Sequence, residues 1–405
     1  MKILIHGINF APEFTGVGKY TGEMAAWLAA AGHEVRVVTA PPYYPEWKVR
    51  KGYHARRYTY EEWNKVRVWR APLWVPARPT SFKRLLHLAS FAICSLPLML
   101  LQIAWKPDVV WVVEPPLLCA PTALCVAWLT GARAWLHVQD YEVDVAFALG
   151  LLQGSFAARI VNRMERKIMR CFHNVSTICM SMMDRALAKG VCSDRLMHFP
   201  NWIDLDSIHP LERVSSYRAE LGIPEDAVVA LYSGNMGRKQ GLDIMADAAR
   251  ILAGETGLCF VFCGNGVGKK ELMRMVQDLP NVQFLDLQPV ARLNDLLGLA
   301  DIHLLPQNAH AAGLVMPSKL SGLMASGRTV VATADVHTEL GQVVQSCGVT
   351  VSPGDAEAFA NAISRLARDS AQRKTFGLAG RKYAEIQFNI TRILDEFEKS
   401  LGRRC

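Results

Sequence analysis

The feature that most limits what this chain can fold into is a construction it uses twice. Near the start an apolar strand, Lys2-Ile3-Leu4-Ile5-His6, runs into a loop ending Thr15-Gly16-Val17-Gly18-Lys19 and then into a helix. About half a chain later, Val228-Val229-Ala230-Leu231-Tyr232 leads into Ser233-Gly234-Asn235-Met236-Gly237-Arg238-Lys239-Gln240-Gly241 and a second helix. A strand that opens through glycines into a helix brings backbone N–H groups and the positive helix end close enough to hold a phosphate. Two such units in 405 residues predict two α/β domains, each large enough for its own core.

The pattern between these landmarks agrees. In the first half Met24, Trp27, Leu28 and Ala31 recur at helical spacing and Gly32 ends that helix. Strands are expected at 34–39, 66–69, 109–113, 134–138 and 175–178, with helices around 121–128 and 156–170. Phe199-Pro200-Asn201-Trp202-Ile203-Asp204 marks a boundary, after which strands at 228–232, 259–263, 282–285, 302–305 and 330–332 alternate with helices. From Ala356 the chain reads as helical, with Phe359, Ile363 and Leu366 on one face. The expected organisation is a first domain over 1–204, a second over 205–380, and a helical tail over 381–405 that packs back on the first.

The chain is 51% hydrophobic and 20% charged, which excludes a disordered protein. Its net charge of +8 is concentrated. Between Glu46 and Arg84 eleven basic residues face only Glu46, Glu61 and Glu62, an excess equal to that of the whole protein. Tyr53, Tyr58, Tyr60, Trp63, Trp69 and Trp74 are interleaved with them. Such a stretch suits an anionic membrane surface or nucleic acid, or is a solvated basic loop. No recognised nucleic-acid motif accompanies it, so no nucleic-acid partner is expected. Leu85–Trp105 then carries no formal charge over 21 residues, long enough to cross a bilayer. The strands expected before and after it belong to one sheet, however. A single crossing would separate them, which favours a buried helix or one docked on a membrane face. The ten cysteines include no C-x-x-C pair and read as reduced thiols rather than a disulfide frame or zinc site. The first strand begins at once, with no secretory leader before it, which predicts a cytoplasmic protein.

Several motifs carry chemistry. The Gly16-Val17-Gly18 loop has Thr21 where a dinucleotide fingerprint needs a third glycine, and the second strand ends Val38-Thr39-Ala40 without an acid for a ribose. A nicotinamide or flavin cofactor is therefore not expected. Arg238 and Lys239 beside the second glycine loop can neutralise a diphosphate. Gly264-Asn265-Gly266-Val267-Gly268 ends the next strand and reads either as a further contact or as a strand-to-helix turn. Pro317-Ser318-Lys319-Leu320 places a cation and a hydroxyl at the mouth of a helix, which suits an anionic leaving group. In the first half, His137-Val138-Gln139-Asp140-Tyr141-Glu142-Val143-Asp144 follows a strand, where ligand sites of such sheets lie. His137 or Asp140 there is placed to orient or deprotonate a hydroxyl. A metal held by Asp140, Glu142 and Asp144 is disfavoured, because alternate residues of an extended chain point to opposite faces.

Taken together, these stretches resemble the GT-B glycosyltransferases of the large retaining family 4, and the resemblance spans nearly the whole chain. It is carried by Gly7-Ile8-Asn9 with Pro12-Glu13, Thr15 to Met24, Ala40-Pro41-Pro42-Tyr43-Tyr44-Pro45, Lys83 to Leu88, Gln139 to Asp144, Tyr232 to Asn235, Lys239 to Leu242 and Pro317 to Leu320. It implies an α/β GT-B fold, two facing Rossmann-like domains with a cleft between them, and metal-independent transfer with retention at the anomeric carbon. The implied donor is a nucleotide-sugar, placed on Gly16, Gly18, Gly234, Asn235, Lys239, Gln240, Gly313, Leu314, Ser318 and Lys319. The acceptor falls to Lys19, Tyr43, Tyr44 and Glu142, with His137 and Asp140 as catalytic residues. For the exopolysaccharide-assembling members that this chain is most similar to, the implied step moves fucose from GDP-fucose to an undecaprenyl-diphosphate-linked glycan. A lipid-linked glycan must be met at the cytoplasmic membrane surface, which would give 46–84 and 85–105 a purpose.

The chain also departs from the family pattern. Many members carry a Glu-x7-Glu pair, yet no glutamate occurs from Leu305 to Thr338, and Gly322 stands nearest the second position. Where many members have a strand-end histidine, this chain reads Val112-Val113-Glu114-Pro115. The alternatives are a UDP-sugar donor, a sugar-nucleotide epimerase, and a non-catalytic, membrane-docked assembly protein.

Overall fold

A computed structural model describes residues 1–144, 156–237, 240–308 and 316–402. The chain divides into two compact units, Met1–Phe199 with Leu394–Cys405, and Pro200–Ile393.

In unit 1 the order is β1 (Lys2–His6), α1 (Gly16–Ala30), β2 (Glu34–Thr39), β3 (Thr59–Trp63), β4 (Val66–Arg70), α2 (Ser81–Leu101), β5 (Val109–Glu114), α3 (Ala120–Thr130) and β6 (Arg133–Val138). It continues through α4 (Phe156–Arg170), β7 (Asn174–Thr177), α5 (Met180–Ala188) and β8 (Leu196–His198). The eight strands form one sheet in the order β3-β4-β2-β1-β5-β6-β7-β8, parallel except for β3 against β4. Central strands such as Val109–Glu114 are buried along their whole length, as strands covered by helices on both faces must be.

The basic-aromatic segment is not simply a solvated loop. Its middle is the β3–β4 hairpin, with Tyr60 opposite Trp69 and a turn at Asn64 and Lys65, whose φ angles are 47° and 65°. A left-handed pair suits the twist of a tight hairpin. Arg70 ends β4 and is 1% exposed. Its guanidinium pairs with Glu61, donates to the carbonyl oxygens of Ala40 at 2.7 Å and Ala11 at 2.6 Å, and stacks over Tyr53. One side chain thus ties the hairpin to the loops after β1 and β2. The other ten bases of this segment are exposed.

Because β4 and β5 share a sheet, the helix α2 between them cannot cross a membrane. It is nevertheless long and apolar enough to do so, and only a third of its most apolar window is buried.

Unit 2 runs α6 (Ser216–Glu220), β9 (Val228–Ser233), α7 (Leu242–Ile251), β10 (Leu258–Cys263), α8 (Lys269–Met275), β11 (Val282–Leu285), α9 (Leu293–Leu299) and β12 (Ile302–Leu305). It continues through α10 (Lys319–Ala325), β13 (Thr329–Thr333), α11 (Glu339–Gln345), β14 (Gly348–Val351), α12 (Ala356–Arg368) and α13 (Ser370–Gln387). A last helix, α14 (Ile390–Gly402), begins in unit 2 and groups with unit 1 from Leu394. The sheet order is β11-β10-β9-β12-β13-β14, all parallel. Phe359, Ile363 and Leu366 of α12 are buried in the same core as Met245 and Ala249 of α7. In each sheet the chain reverses its direction of growth once, beside β1 and β5 in unit 1 and beside β9 and β12 in unit 2. Crevices for ligands form at such switch points, outside the carboxyl ends of the strands.

Replacing Arg70 with Met keeps the packing but leaves Glu61 and two carbonyl groups without their donor. The expected loss is about 2–4 kcal/mol of unfolding free energy, read by urea denaturation.

Candidate functional site

In unit 2 the loops after β9 and β10 interlock through their main chains. Gly234 N–H donates to the Cys263 carbonyl, Met236 N–H to Asn265, and Gly268 N–H to Met236, at 2.9–3.0 Å. A Cβ on Gly264 would fall 1.9 Å from the Gly234 oxygen, and one on Gly266 2.5 Å from the Met236 oxygen. Both glycines have positive φ, so their shape and their lack of a side chain are required together. The Gly264-Asn265-Gly266 sequence is thus a brace that fixes the first glycine loop, not merely a turn. Asn235 is exposed, and its carbonyl oxygen takes the Tyr232 hydroxyl at 2.6 Å, while the Asn265 carboxamide oxygen accepts from Lys269. The Gln240 carboxamide lies over Gly237, whose Cβ would meet its oxygen.

Lys319 opens α10, directly after Ser318, and points at this loop. Its Nζ stands 4.3 Å from the Tyr232 ring centre, and a Cβ on Gly234 would lie 3.7 Å from it. The ammonium is shut off from solvent and has no hydrogen-bond partner among the described residues. Burial lowers its pKa to about 8. A cation placed so, with only a ring face for company, lacks an anion. Gln307, just beyond β12 and near Gly241, also holds a buried carboxamide oxygen without a partner among the described residues. Gly322, by contrast, is buried on α10 against Leu297, so a glutamate there would enter the apolar interior rather than meet a ribose. Lys239, Gly313 and Leu314 lie outside the described residues.

In unit 1 the glycine loop is organised by Glu13, a residue to which the sequence motif assigned no role. Its carboxylate accepts from the backbone N–H groups of Tyr43 and Tyr44 and from the Asn9 carboxamide, each at 2.9 Å. A Cβ on Gly18 would meet that carboxylate at 2.5 Å, so Gly18 has a packing reason to be a glycine. Gly16 has φ +62° and faces the Tyr44 ring. Tyr43 is buried against Trp47 and His87, whereas Tyr44 is exposed. Lys19 sits one turn into α1, paired with Glu23 at 3.6 Å. Arg84 stacks over Trp47, and the Tyr44 hydroxyl feels both the Glu13 carboxylate and this guanidinium.

The strand-end acidic segment differs most from the sequence expectation. His137 is buried in an aromatic cluster with Trp111, Phe199 and Phe397. Its Nδ1 lies 2.9 Å from Ser176 Oγ and its Nε2 2.9 Å from the Gln139 side-chain nitrogen. Burial lowers its pKa to about 3, which fixes a neutral ring that takes no proton near neutral pH. The geometry makes it a holder of Gln139 rather than a base. The chain after Tyr141 coils into a helical turn instead of extending, and the carboxylates part for other reasons. Glu142 accepts from Leu117 N–H at 3.1 Å, while Asp144 pairs with Arg185 and Lys189. Asp140 is half-buried and close enough to Glu142 to help raise its pKa, after burial. Among the described residues no cluster of His, Cys, Asp or Glu is placed to hold a metal ion.

Glu114, at the carboxyl end of β5 and hence at the switch point of this sheet, is fully buried. Both its oxygens lack partners among the described residues. Burial, then Glu165 and Glu142, push its pKa well up, favouring the neutral acid. The signal in the sequence was an acid closing a wholly apolar strand.

Comparisons with known proteins agree with the two α/β units. The family described as glycosyl transferase 4-like domain matches residues 15–202, and that described as glycosyl transferases group 1 matches 227–369. The chain belongs to the GT-B glycosyltransferases of family 4. It is 44% identical over 407 residues, 98% of each chain, to the putative colanic acid biosynthesis glycosyl transferase WcaI of Escherichia coli strain K12. It is 25% identical to the probable glycosyltransferase WbjE of Pseudomonas aeruginosa, over 65% of this chain and 67% of that one. Among solved structures, sucrose-phosphate synthase from Thermosynechococcus elongatus superposes with TM-score 0.74 at 18% identity, covering 99% and 98% of the two chains. WaaG, a glycosyltransferase of lipopolysaccharide biosynthesis, does so with TM-score 0.66 at 17% identity, covering 99% and 100%. The protein is accordingly a glycosyltransferase.

The buried Lys319 ammonium makes a pH-dependent prediction. Its folded pKa, about 8, lies below the ordinary 10.5, so the unliganded fold carries a penalty that is complete below pH 8 and relieved as pH rises toward 10.5. Lys319→Met is expected to stabilise the empty protein by on the order of 2–3 kcal/mol at about pH 7, and by little at about pH 10, in urea melts.

Proposed function

We infer that this glycosyltransferase moves fucose from GDP-fucose onto an undecaprenyl-diphosphate-linked oligosaccharide, at the cytoplasmic face of the membrane, with retention of configuration. The observation that carries the reading is the buried Lys319 ammonium beside Gly234, without a hydrogen-bond partner among the described residues, at the mouth of a braced glycine loop. A diphosphate supplies the missing anion. Gly234, Asn235 and Gln240 line its approach, and Ser318, Lys239, Gly313 and Leu314 belong to the same donor site.

In the proposed step the acceptor hydroxyl oxygen bonds to the anomeric carbon on the face from which the bond to the donor phosphate oxygen breaks. The hydroxyl proton passes to the departing phosphate oxygen, and Lys319 balances the charge left on the diphosphate. No metal is required for this. Asp140 orients the attacking hydroxyl, and His137 acts through Gln139, holding the strand end in place. Glu142 contacts the acceptor sugar, while Lys19, Tyr44 and the buried Tyr43 beneath it shape the acceptor's path. Gly16 and Gly18 then serve the shape of that loop and its approach to the donor.

The lipid-linked acceptor accounts for the exposed bases of 46–84 and the apolar helix that follows. Membrane association is peripheral in this reading, since α2 lies between strands of one sheet.

Thermal unfolding of the purified protein with GDP and with UDP, each with and without Mg²⁺, tests the donor. A ligand that binds only the native state adds about 2.7 kcal/mol at a hundredfold excess over Kd. A GDP-selective shift that needs no metal is expected. A UDP-selective shift would overturn the donor, and a shift seen only with Mg²⁺ would overturn metal independence.

A further inference from the structure

From Leu85 onward every exposed residue of α2 is apolar. Phe82, Leu86, Ile93, Leu96 and Leu100 stand on its outer face, and Ala104 extends the stripe into the 3-10 turn Gln102–Trp105. Their spacing is that of one side of a helix. Ile93 is 71% exposed and Leu101 67%. The opposite side of the helix, with His87, Phe91, Ser95 and Met99, is buried in unit 1. Such a helix is amphipathic in an unusual sense, with one apolar face in the protein and a second facing out.

The patch does not stop at α2. Helix α3 packs beside it and turns Trp128, 81% exposed, and Leu129 outward. No charged residue occurs from Pro115 to Ala132. No acid occurs between Glu62 and Asp108 either, while exposed Arg78, Lys83 and Arg84 lie at one end of α2 and Lys106 at the other. An apolar face this continuous has an occupant. A second copy docked on it in an antiparallel or a parallel sense would bring cationic ends together, because both ends are basic. An anionic lipid surface meets both the apolar stripe and its basic margins.

We propose that α2 and α3 form one platform that lies flat in the interface of an anionic bilayer. Ile93, Leu101 and Trp128 enter the acyl boundary, and Lys83, Arg84 and Lys106 meet the head groups. This deepens the membrane part of the function inferred above and rests on it. The helix spans about 30 Å along the surface, at 1.5 Å per residue.

The test is sedimentation of the full chain with vesicles of phosphatidylglycerol and phosphatidylethanolamine, against vesicles of phosphatidylcholine alone. The wild type is expected to bind the anionic vesicles, and the triple variant Ile93→Ser, Leu101→Ser, Trp128→Ser to bind about tenfold more weakly or less. Brominated acyl chains are expected to quench wild-type tryptophan fluorescence more than that of Trp128→Phe. Lys83→Gln with Arg84→Gln is expected to remove the salt-sensitive part of binding and keep the quenching. Binding equal in wild type and triple variant overturns the proposal. So does a wild-type dimer that ignores vesicles and that the triple variant turns into monomers. The GDP-induced thermal shift, which reports unit 2, separates the two readings. A wild type that shows the GDP shift but does not bind anionic vesicles defeats only the platform, and a wild type that binds vesicles without a GDP shift defeats only the donor.

Discussion

The main-chain interlock between the loops after β9 and β10 is the contact on which the inferred donor site depends. Gly264 can sit against the Gly234 carbonyl only because it has no Cβ, and that closeness fixes where the first loop ends. With Gly234 also bare, space remains in front of Lys319, whose ammonium would otherwise meet a side chain. The cation then faces the Tyr232 ring and meets no hydrogen-bonding partner among the described residues. An internal acid would stabilise the empty fold, but it would compete with a diphosphate for the same charge. An ammonium left unpaired among the described residues costs stability and, in the inferred reaction, is reserved for the ligand, a trade common at functional sites.

Unit 1 is organised around different economies of charge. Glu13 and Arg70, both buried, hold loops by bonding to backbone groups rather than to ligands. Glu114 is the exception, since its carboxyl reaches no partner among the described residues. Its position at the switch point of the sheet, beside the segment that carries Asp140 and Glu142, places a neutral acid where an acceptor sugar would be bound in the inferred reaction. Nearby, Lys189 pairs with both Glu165 and Asp144, and Arg185 pairs with Asp144.

Much of the fold was legible in the sequence because its strands are parallel and buried on both faces. Such strands read as apolar runs, and Val109–Glu114 and Val228–Ser233 are examples. The hairpin strand Thr59–Trp63 was not legible, because it is an edge strand with two adjacent glutamates and no buried residue, which resembles a solvated loop. Its Asn-Lys turn was the available signal. At the site, Lys319 and Gly234 were recognisable from local pattern, since a cation at a helix mouth and a glycine after a strand are determined by neighbours in sequence. His137 was not. Its role depends on Trp111, Phe199 and Phe397, which come from three distant parts of the chain. Burial of that kind turns an apparent base into a neutral core residue, and nothing in its own segment announces it. The apolar stretch after Arg84 was visible as a length of uncharged chain, but its two-faced character needed the sheet that traps it.

The central claim is that a donor diphosphate held at Lys319 is coupled to transfer of its sugar onto a lipid-borne glycan. The most direct measurement mixes the full chain with membrane vesicles carrying undecaprenyl-diphosphate-linked oligosaccharide and with GDP-fucose, and follows the mass of the lipid-linked glycan. The account predicts a gain of one deoxyhexose with wild type and essentially none with Lys319→Ala. Equal transfer by the variant, or an unchanged glycan in the presence of wild type that binds GDP, would contradict it.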